Sequence, residues 1–243
     1  MKKAMLFAAG LGTRLGEYTK NTPKALVQIK DKPLIEYSLE YLKKYGVTDV
    51  IINVHHFADK IINHINNINT ELNITFSHEK ELLETGGGLL KAKNFFSDVD
   101  DFILYNTDIL TSLDLHKMYE KFRKTDSLAC LAVRKRETSR YLLFDEKEKM
   151  QGWENTKTGE KILCNQSPEK LNQYAFSGIH IVSTRIFDLL KEKENQKFSI
   201  TKAYIELACK ENITAYIDNS AFWVDAGKPE IIENLNKKTI DFI

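Results

Sequence analysis

Apolar positions recur along this chain in two alternating rhythms. KAMLFA (Lys3 to Ala8), DVIINV (Asp49 to Val54) and DFILYN (Asp101 to Asn106) are short runs that are apolar at nearly every position. A strand apolar on both faces is what a central parallel sheet requires, because helices cover it from both sides. Between these runs, apolar residues return every three or four positions, the rhythm of an amphipathic helix. This spacing predicts a helix beginning near Pro33, a favourable first-turn residue, and running to Tyr45 with Gly46 as its stop. It predicts further helices over Phe57 to Asn66, Gly87 to Phe96 and Leu113 to Lys124. ALVQI (Ala25 to Ile29), NITFSH (Asn73 to His78) and SLACLAV (Ser127 to Val133) read as additional strands. Strand and helix in alternation predict a parallel sheet with helices on both faces.

The second half changes character. YLLFD, MQGWEN and EKILC are short strands divided by turns such as Thr156-Lys157-Thr158-Gly159, so a small antiparallel hairpin flap is expected over about 141–171. AFSGIHIVS then returns to the main sheet. Helices follow at Thr184 to Lys191 and Ser199 to Lys210, then strands ITAYI and FWVDA and a closing helix from Pro229. A single domain over 1–243 is expected, and no hexapeptide repeat suggests a β-helix extension.

Composition narrows the class without naming a chemistry. The apolar fraction of 42%, charged fraction of 28% and net charge of +1 suit an ordinary globular protein and call for neither nucleic acid nor an anionic membrane. No stretch approaches the roughly 20 apolar residues of a membrane span. The Lys2-Lys3 start mimics a secretory leader, but AMLFAAG is too short for its apolar core. Cys130, Cys164 and Cys209 are few, odd in number and far apart. They are expected to be buried and free of disulfides or zinc, as in a reducing cytoplasm.

The chemistry concentrates between Ala8 and Lys24, where AAGLGTRLG leads to NTPK. Gly10 and Gly12 fall where the first strand ends, and glycine lets backbone N–H groups approach a phosphate closely. Thr13 adds a hydroxyl, Arg14 a planar guanidinium suited to phosphate oxygens, and Lys24 a compact cation behind the rigid Pro23. Backbone donors with two cations describe a polyphosphate cradle. The competing reading is a Rossmann dinucleotide turn, since Gly10, Gly12 and Gly16 are spaced GxGxxxG. That turn opens directly into a helix and has an acid about 20 residues on. Here Asn21-Thr22-Pro23 is a poor helix interior, so the cradle reading is preferred.

Two acids complete the pattern. Asp108 ends the apolar run FILYNTD and Asp225 ends FWVD, which places both at strand ends, where open α/β sheets bind ligands. An isolated acid there is often only a cap or turn residue. Two on separate strands can hold one Mg²⁺, which retains several waters and takes its remaining ligands from phosphates.

AAGLGTRL with TPK, HEKELLETGGGLLKA (His78 to Ala92), ILYNTD (Ile103 to Asp108), YAFSGIHIVS (Tyr174 to Ser183) and FWVDAGKPE (Phe222 to Glu230) together resemble the sugar-1-phosphate nucleotidyltransferases, the NDP-sugar pyrophosphorylases. Their order matches that family across nearly the whole chain. The LETGGG and FSGI forms look most like the branch of N-acetylmuramate-1-phosphate uridylyltransferases and mannose-1-phosphate guanylyltransferases. The resemblance implies a Rossmann-like mixed, mostly parallel sheet flanked by helices. It also implies Mg²⁺-dependent transfer of a nucleotidyl group from a nucleoside triphosphate to a sugar 1-phosphate for cell-wall or surface glycans, by a monomer or homodimer.

It further implies roles for individual residues. Asp108 and Asp225 become metal ligands, Arg14 and Lys24 serve the phosphates, and Ala9 to Thr13 cradle the nucleotide. Gly86 and Gly87 offer a bare surface to the base, with Glu84 and Thr85 nearby. Asn106, Ser177 and Gly178 face the sugar, although Asn106 is equally a polar strand terminus. Trp153 stacks on the sugar or belongs to the core. UTP is slightly favoured over GTP. One departure stands out: the E-K-P segment, whose lysine holds the sugar phosphate in many members, is missing. That leaves Lys161, Lys170 and Arg140 as candidates. His55 and His56 lack a third ligand and read as paired surface histidines. A phosphocholine cytidylyltransferase and a non-catalytic nucleotide or sugar-nucleotide sensor are the alternative functions.

Overall fold

A computed structural model describes residues 2–164 and 168–237. The first half comprises β1 (Lys3–Phe7), β2 (Gln28–Ile29), β3 (Lys32–Pro33), α1 (Leu34–Lys44), β4 (Asp49–Val54), α2 (Ala58–Asn67) and β5 (Asn73–His78). It continues with α3 (Glu84–Lys91), β6 (Asp101–Asn106), β7 (Ile109–Thr111), α4 (Leu115–Thr125) and β8 (Ala129–Arg134). The second half holds β9 (Arg140–Phe144), β10 (Met150–Asn155), β11 (Glu160–Leu163), β12 (Asn172–Ser183), α5 (Ile186–Leu189) and α6 (Ile200–Leu207). It ends with β13 (Ile213–Ile217), β14 (Trp223–Asp225) and α7 (Pro229–Lys237).

The large sheet runs β11-β10-β9-β12-β6-β1-β4-β5, with β8 beside β12 and β13 beside β8. Its centre is parallel: β1 pairs in parallel with β4 and β6, and β4 with β5. The long β12 runs antiparallel to β6, β8 and β9. Alternation along each strand sorts the core. Ala4, Leu6, Val50, Ile52, Ile103 and Tyr105 face the helices α1, α2 and α4. Met5, Ile51, Phe102 and Leu104 face α3, α5 and α6. A third cluster ties Leu15 of the glycine loop to Leu110, Ala226 and the α7 residues Ile232 and Leu235. This cluster fixes the loop against both acid-bearing segments.

The α1 boundary follows its sequence signals. The helix starts after Pro33 and ends where Gly46, at φ +80°, donates to the Lys43 carbonyl at 2.9 Å. Other expectations change. ALVQI is not a five-residue strand: Lys24–Leu26 forms a 3₁₀ turn, and only Gln28–Ile29 pairs, with Lys32–Pro33. The Leu26 N–H donates to the Pro23 carbonyl at 2.9 Å, so the chain turns immediately after the proline. The expected flap is continuous with the main sheet, because β9 pairs with β12 as well as β10; residues 165–167 of that segment lie outside the described residues.

The cysteine expectation is overturned. Cys164, after β11, and Cys209, after α6, form a disulfide with Cα atoms 5.1 Å apart. They are 45 residues apart in sequence, and spacing alone could not show that β11 returns beside the end of α6. Cys209 is exposed. Cys130 is buried and free, and burial pushes its thiol up to about 11. Among the described residues, no helix is long and apolar enough to cross a membrane.

Candidate active site

The glycine loop leaves the C-terminal end of β1 and enters a kinked 3₁₀ segment, Thr13–Thr19, not an α-helix. Gly12 sits at φ +67°, and a Cβ there would meet Thr19 Cγ2 at 2.9 Å and Lys24 Cβ at 3.0 Å. Glycine is therefore required for this close approach of loop and lysine. Gly10 has open space where a Cβ would stand. Ala8, Ala9, Gly10 and Lys24 line one wall of a 370 Å³ cleft. Glu84, Thr85, Asn106, Asp108 and Ser199 are among its other lining residues. The first strand, the lysine turn, α3 and the end of β6 thus meet around one space.

The two acids are brought together by a short ribbon. β14 pairs antiparallel with β7 so that Asp225 stands opposite Ile109. The Ala226 N–H donates to the Asp108 carbonyl at 2.8 Å. The Lys24 ammonium is ion-paired with the Asp108 carboxylate. Arg14 approaches from the glycine loop: a Cβ on Gly227 would meet Asp225 Oδ1 at 2.6 Å and Arg14 Nη2 at 2.8 Å. Burial, reinforced by the Asp108 charge, raises the Asp225 pKa, while Lys24 and Arg14 oppose the rise. Two carboxylates close enough to repel, with half-buried oxygens, are a hard-oxygen donor pair suited to Mg²⁺. Among the described residues no group of three or more His, Cys, Asp or Glu adds to them. A metal held here would complete its shell from phosphates and water.

The α3 glycines serve packing. A Cβ on Gly86 would meet the Phe198 ring at 2.2 Å, and one on Gly87 the Gln196 carbonyl oxygen at 2.4 Å. Gly86 and Gly87 donate their N–H groups to the Phe198 carbonyl at 2.8 and 3.3 Å. The segment before α6 therefore covers the bare faces where the sequence reading places a base. These bonds satisfy free donors of the first turn and let α3 begin at Glu84, three residues earlier than expected. Glu84 itself is exposed in the cleft at φ +60°, a strained setting for a non-glycine residue. The Thr85 hydroxyl accepts from the Ile200 N–H at 3.0 Å.

Sequence reasoning missed the support beneath these loops. Glu79 is fully buried; one oxygen accepts from Asn53 Nδ2 at 2.7 Å and the other from the Leu83 N–H at 2.9 Å. Asn53 Oδ1 accepts from the Ala8 N–H at 2.8 Å. One buried pair thus holds the start of the glycine loop and the approach to α3. The polar Asn53 inside the apolar run DVIINV was the available signal. His55 bonds the Glu79 carbonyl through Nδ1 at 2.9 Å, while the exposed His56 lies against Phe57.

On the sugar side the expectation divides. Between Phe176 and His180 the pairing of β12 with β8 shifts register, and Gly178 takes φ +81°. A Cβ on Gly178 would meet Ile109 Cγ1 at 2.7 Å and Asn106 Nδ2 at 3.0 Å. Ser177 and Gly178 are buried behind Asn106 and line neither cavity. Trp153, half-buried, does line a second cavity of 570 Å³ with Arg136, Arg140, Phe176 and Lys202. The two cavities share Ser199.

Known proteins resemble this chain over nearly its whole length. Residues 3–241 match the nucleotidyl transferase family model. The chain is 31% identical over 231 residues to D-glycero-alpha-D-manno-heptose 1-phosphate guanylyltransferase of Campylobacter jejuni, covering 94% of this chain and 96% of that one. It is 27% identical to the probable mannose-1-phosphate guanylyltransferase 1 of rice (Oryza sativa), covering 93% of this chain but 62% of that protein's length. The crystal structure of HddC from Yersinia pseudotuberculosis complexed with GMP-PN superposes with a TM-score of 0.75 at 26% identity, covering 98% and 99% of the two chains. Both curated relatives are guanylyltransferases, so the slight expectation of UTP over GTP finds no support.

Proposed function

The chain belongs to the nucleotidyl transferase family, and we propose that it transfers a nucleotidyl group from a nucleoside triphosphate, with GTP preferred, to a sugar 1-phosphate. The observation that carries this reading is the convergence of Arg14, Lys24, Asp108 and Asp225, of which Lys24 and Asp108 line the cleft. In the reaction, an oxygen of the sugar phosphate bonds to the α-phosphorus. The bond from that phosphorus to the oxygen bridging to the β-phosphate breaks, and pyrophosphate leaves. The attacking oxygen is already anionic, so no general base is needed. The barrier lies in aligning two polyanions and absorbing their charge.

Each residue then has a task. The Gly10–Thr13 backbone and Arg14 hold the leaving pyrophosphate. Lys24 lies between this loop and Asp108, where it meets the α-phosphate. Asp108 and Asp225 would hold Mg²⁺, which when bound neutralises phosphate charge and templates the triphosphate. Glu84, exposed in the cleft, offers a carboxylate acceptor for the N1–H and N2–H₂ donors of guanine. Uracil has only one such donor, so the acid favours guanine on chemistry as well as on kinship. The second cavity, where Arg136, Arg140 and Lys202 outnumber Glu160, suits an anionic sugar phosphate.

A pyrophosphate-release panel tests the reading. Four nucleoside triphosphates are crossed with mannose-, heptose-, glucose-, N-acetylglucosamine- and N-acetylmuramate-1-phosphates, and with phosphocholine. The expected result is release with GTP and at least one sugar 1-phosphate. Activity with CTP and phosphocholine alone would overturn the sugar assignment, and silence throughout would favour a sensor.

A further inference from the structure

Among the described residues, two buried side-chain polar atoms have no hydrogen-bond partner, Arg136 Nε and Ser177 Oγ. They belong to one neighbourhood. Arg136 Nη2 donates to the Phe176 carbonyl at 3.1 Å, and the next carbonyl, that of Ser177, accepts from Trp223 Nε1 at 3.0 Å. The Arg136 guanidinium lies 4.7 Å from the centroid of the Trp223 ring. Buried polar groups without partners are rare and costly, so two in one place call for a ligand or a reason.

Arg134 provides the contrast. It also faces Trp223, at 5.8 Å, but its Nη1 donates to the buried Asp218 at 2.9 Å and its Nη2 to the Ser220 carbonyl at 3.0 Å. Its charge is neutralised and its role is structural. Among the described residues, Arg136 has no carboxylate within ion-pair range. Burial lowers the Arg136 pKa, and the charge of Asp225, two residues beyond Trp223, opposes that fall. Arg136 also lines the second cavity, which shares Ser199 with the first. The cation is therefore half-buried and oriented by the Trp223 ring, by the Phe176 carbonyl at 3.1 Å and by a long 3.5 Å bond from Nη1 to the Glu137 carbonyl, with Nε left unpaired.

We propose that Arg136 grips the phosphate of the incoming sugar 1-phosphate, the task left open by the missing E-K-P lysine. This rests on the transferase reading above. A phosphate entering the cavity meets the Nη edge, and a small rotation within the Trp223 stack brings Nε to the same anion. Guanidinium suits this task because its planar N–H pairs match two phosphate oxygens at once. The other candidates are less well placed. Lys161 lies 3.8 Å from Glu154, Lys170 does not line the cavity, and Arg140 lines it only as an exposed side chain.

Steady-state kinetics with GTP and mannose 1-phosphate compare the native protein with Arg136→Gln and Arg136→Lys, with thermal melts as a check on folding. Arg136→Gln is expected to raise the KM for the sugar phosphate at least about tenfold and to leave the KM for GTP within about twofold; Arg136→Lys recovers part of the loss. Unchanged constants, or both rising together, would overturn the assignment while leaving the transferase reading intact. If the native protein transfers to no acceptor, that reading fails, and calorimetric titration with mannose 1-phosphate decides Arg136 separately. Binding lost in Arg136→Gln supports the anion site. Equal heats, or none from either protein, overturns it.

Discussion

The Lys24 ammonium is paired with the Asp108 carboxylate across 84 residues of sequence. Both side chains are only 15% exposed, so neither charge is well solvated and each depends on the other. In the proposed reaction this pair must loosen as the triphosphate arrives, because Lys24 turns to the α-phosphate and Asp108 to the metal. On that proposal the contact is the resting arrangement of two groups that would separate when substrate binds.

Removing either partner leaves the other charge unpaired and costs stability, but the proposed roles predict a larger effect on rate. Lys24→Ala, Asp108→Ala and Asp225→Ala are each expected to cut turnover by at least roughly 10²-fold, since they act on charge in the transition state. Circular dichroism spectra should match the native protein. Near-native rates from both aspartate variants at saturating Mg²⁺ would remove the metal assignment.

Gly86 separates packing from base recognition. An alanine Cβ there would stand 2.2 Å from the Phe198 ring, inside the contact between α3 and the segment leading to α6. Gly86→Ala should destabilise the protein by about 1–3 kcal/mol through overpacking. Denaturant titration measures it. A variant of native stability with weakened GTP binding would return Gly86 to the base pocket.

Particular residues show what the chain makes legible. Asp101 to Asn106 is apolar at alternate positions on both faces, so β6 and the edge beyond it could be placed without coordinates, and Asp108 with them. Gly12 could be read as a point of close backbone approach because it follows a strand end and stands beside Thr13 and Arg14. Gly86 and Gly87 could not be assigned, because a glycine reports only that something approaches closely. Whether that is a base or Phe198 depends on a segment more than a hundred residues away. Arg136 was equally opaque. Its significance lies in Trp223 and in a hydrogen bond it lacks, neither of which leaves a local pattern. Cys164 and Cys209 failed for the same reason, since their pairing is set by how β11 and α6 pack.

That pairing has a measurable consequence. The Cys164–Cys209 bond closes a loop across 45 residues, and by the chain-entropy model such a closure stabilises the native state by about 4 kcal/mol. Native protein under a thiol reductant, and a Cys164→Ser/Cys209→Ser variant without it, should both unfold at lower denaturant than the oxidised protein. Equal midpoints for oxidised and reduced protein would show that the bond contributes nothing to stability.

His180 sets an acid limit on stability. It is buried on β12, shares a 2.9 Å hydrogen bond between Nδ1 and the Tyr204 hydroxyl, and packs edge-on against Phe176 at 4.7 Å. Burial holds its pKa down at about 3, against an ordinary value of 6.5. The native state therefore keeps the ring neutral where the unfolded chain protonates it. Its contribution is fully present above pH 6.5 and is lost as pH falls toward 3. Well below the ordinary value the loss approaches about 1.4 kcal/mol per pH unit. His180→Gln should be less stable near neutrality, because it gives up the fitted ring. Its stability should also fall less steeply between pH 6 and 4, roughly the window in which only the unfolded chain gains this proton. Unfolding free energies of both proteins across that range provide the measurement. Parallel curves would show that the buried imidazole is not the group responsible.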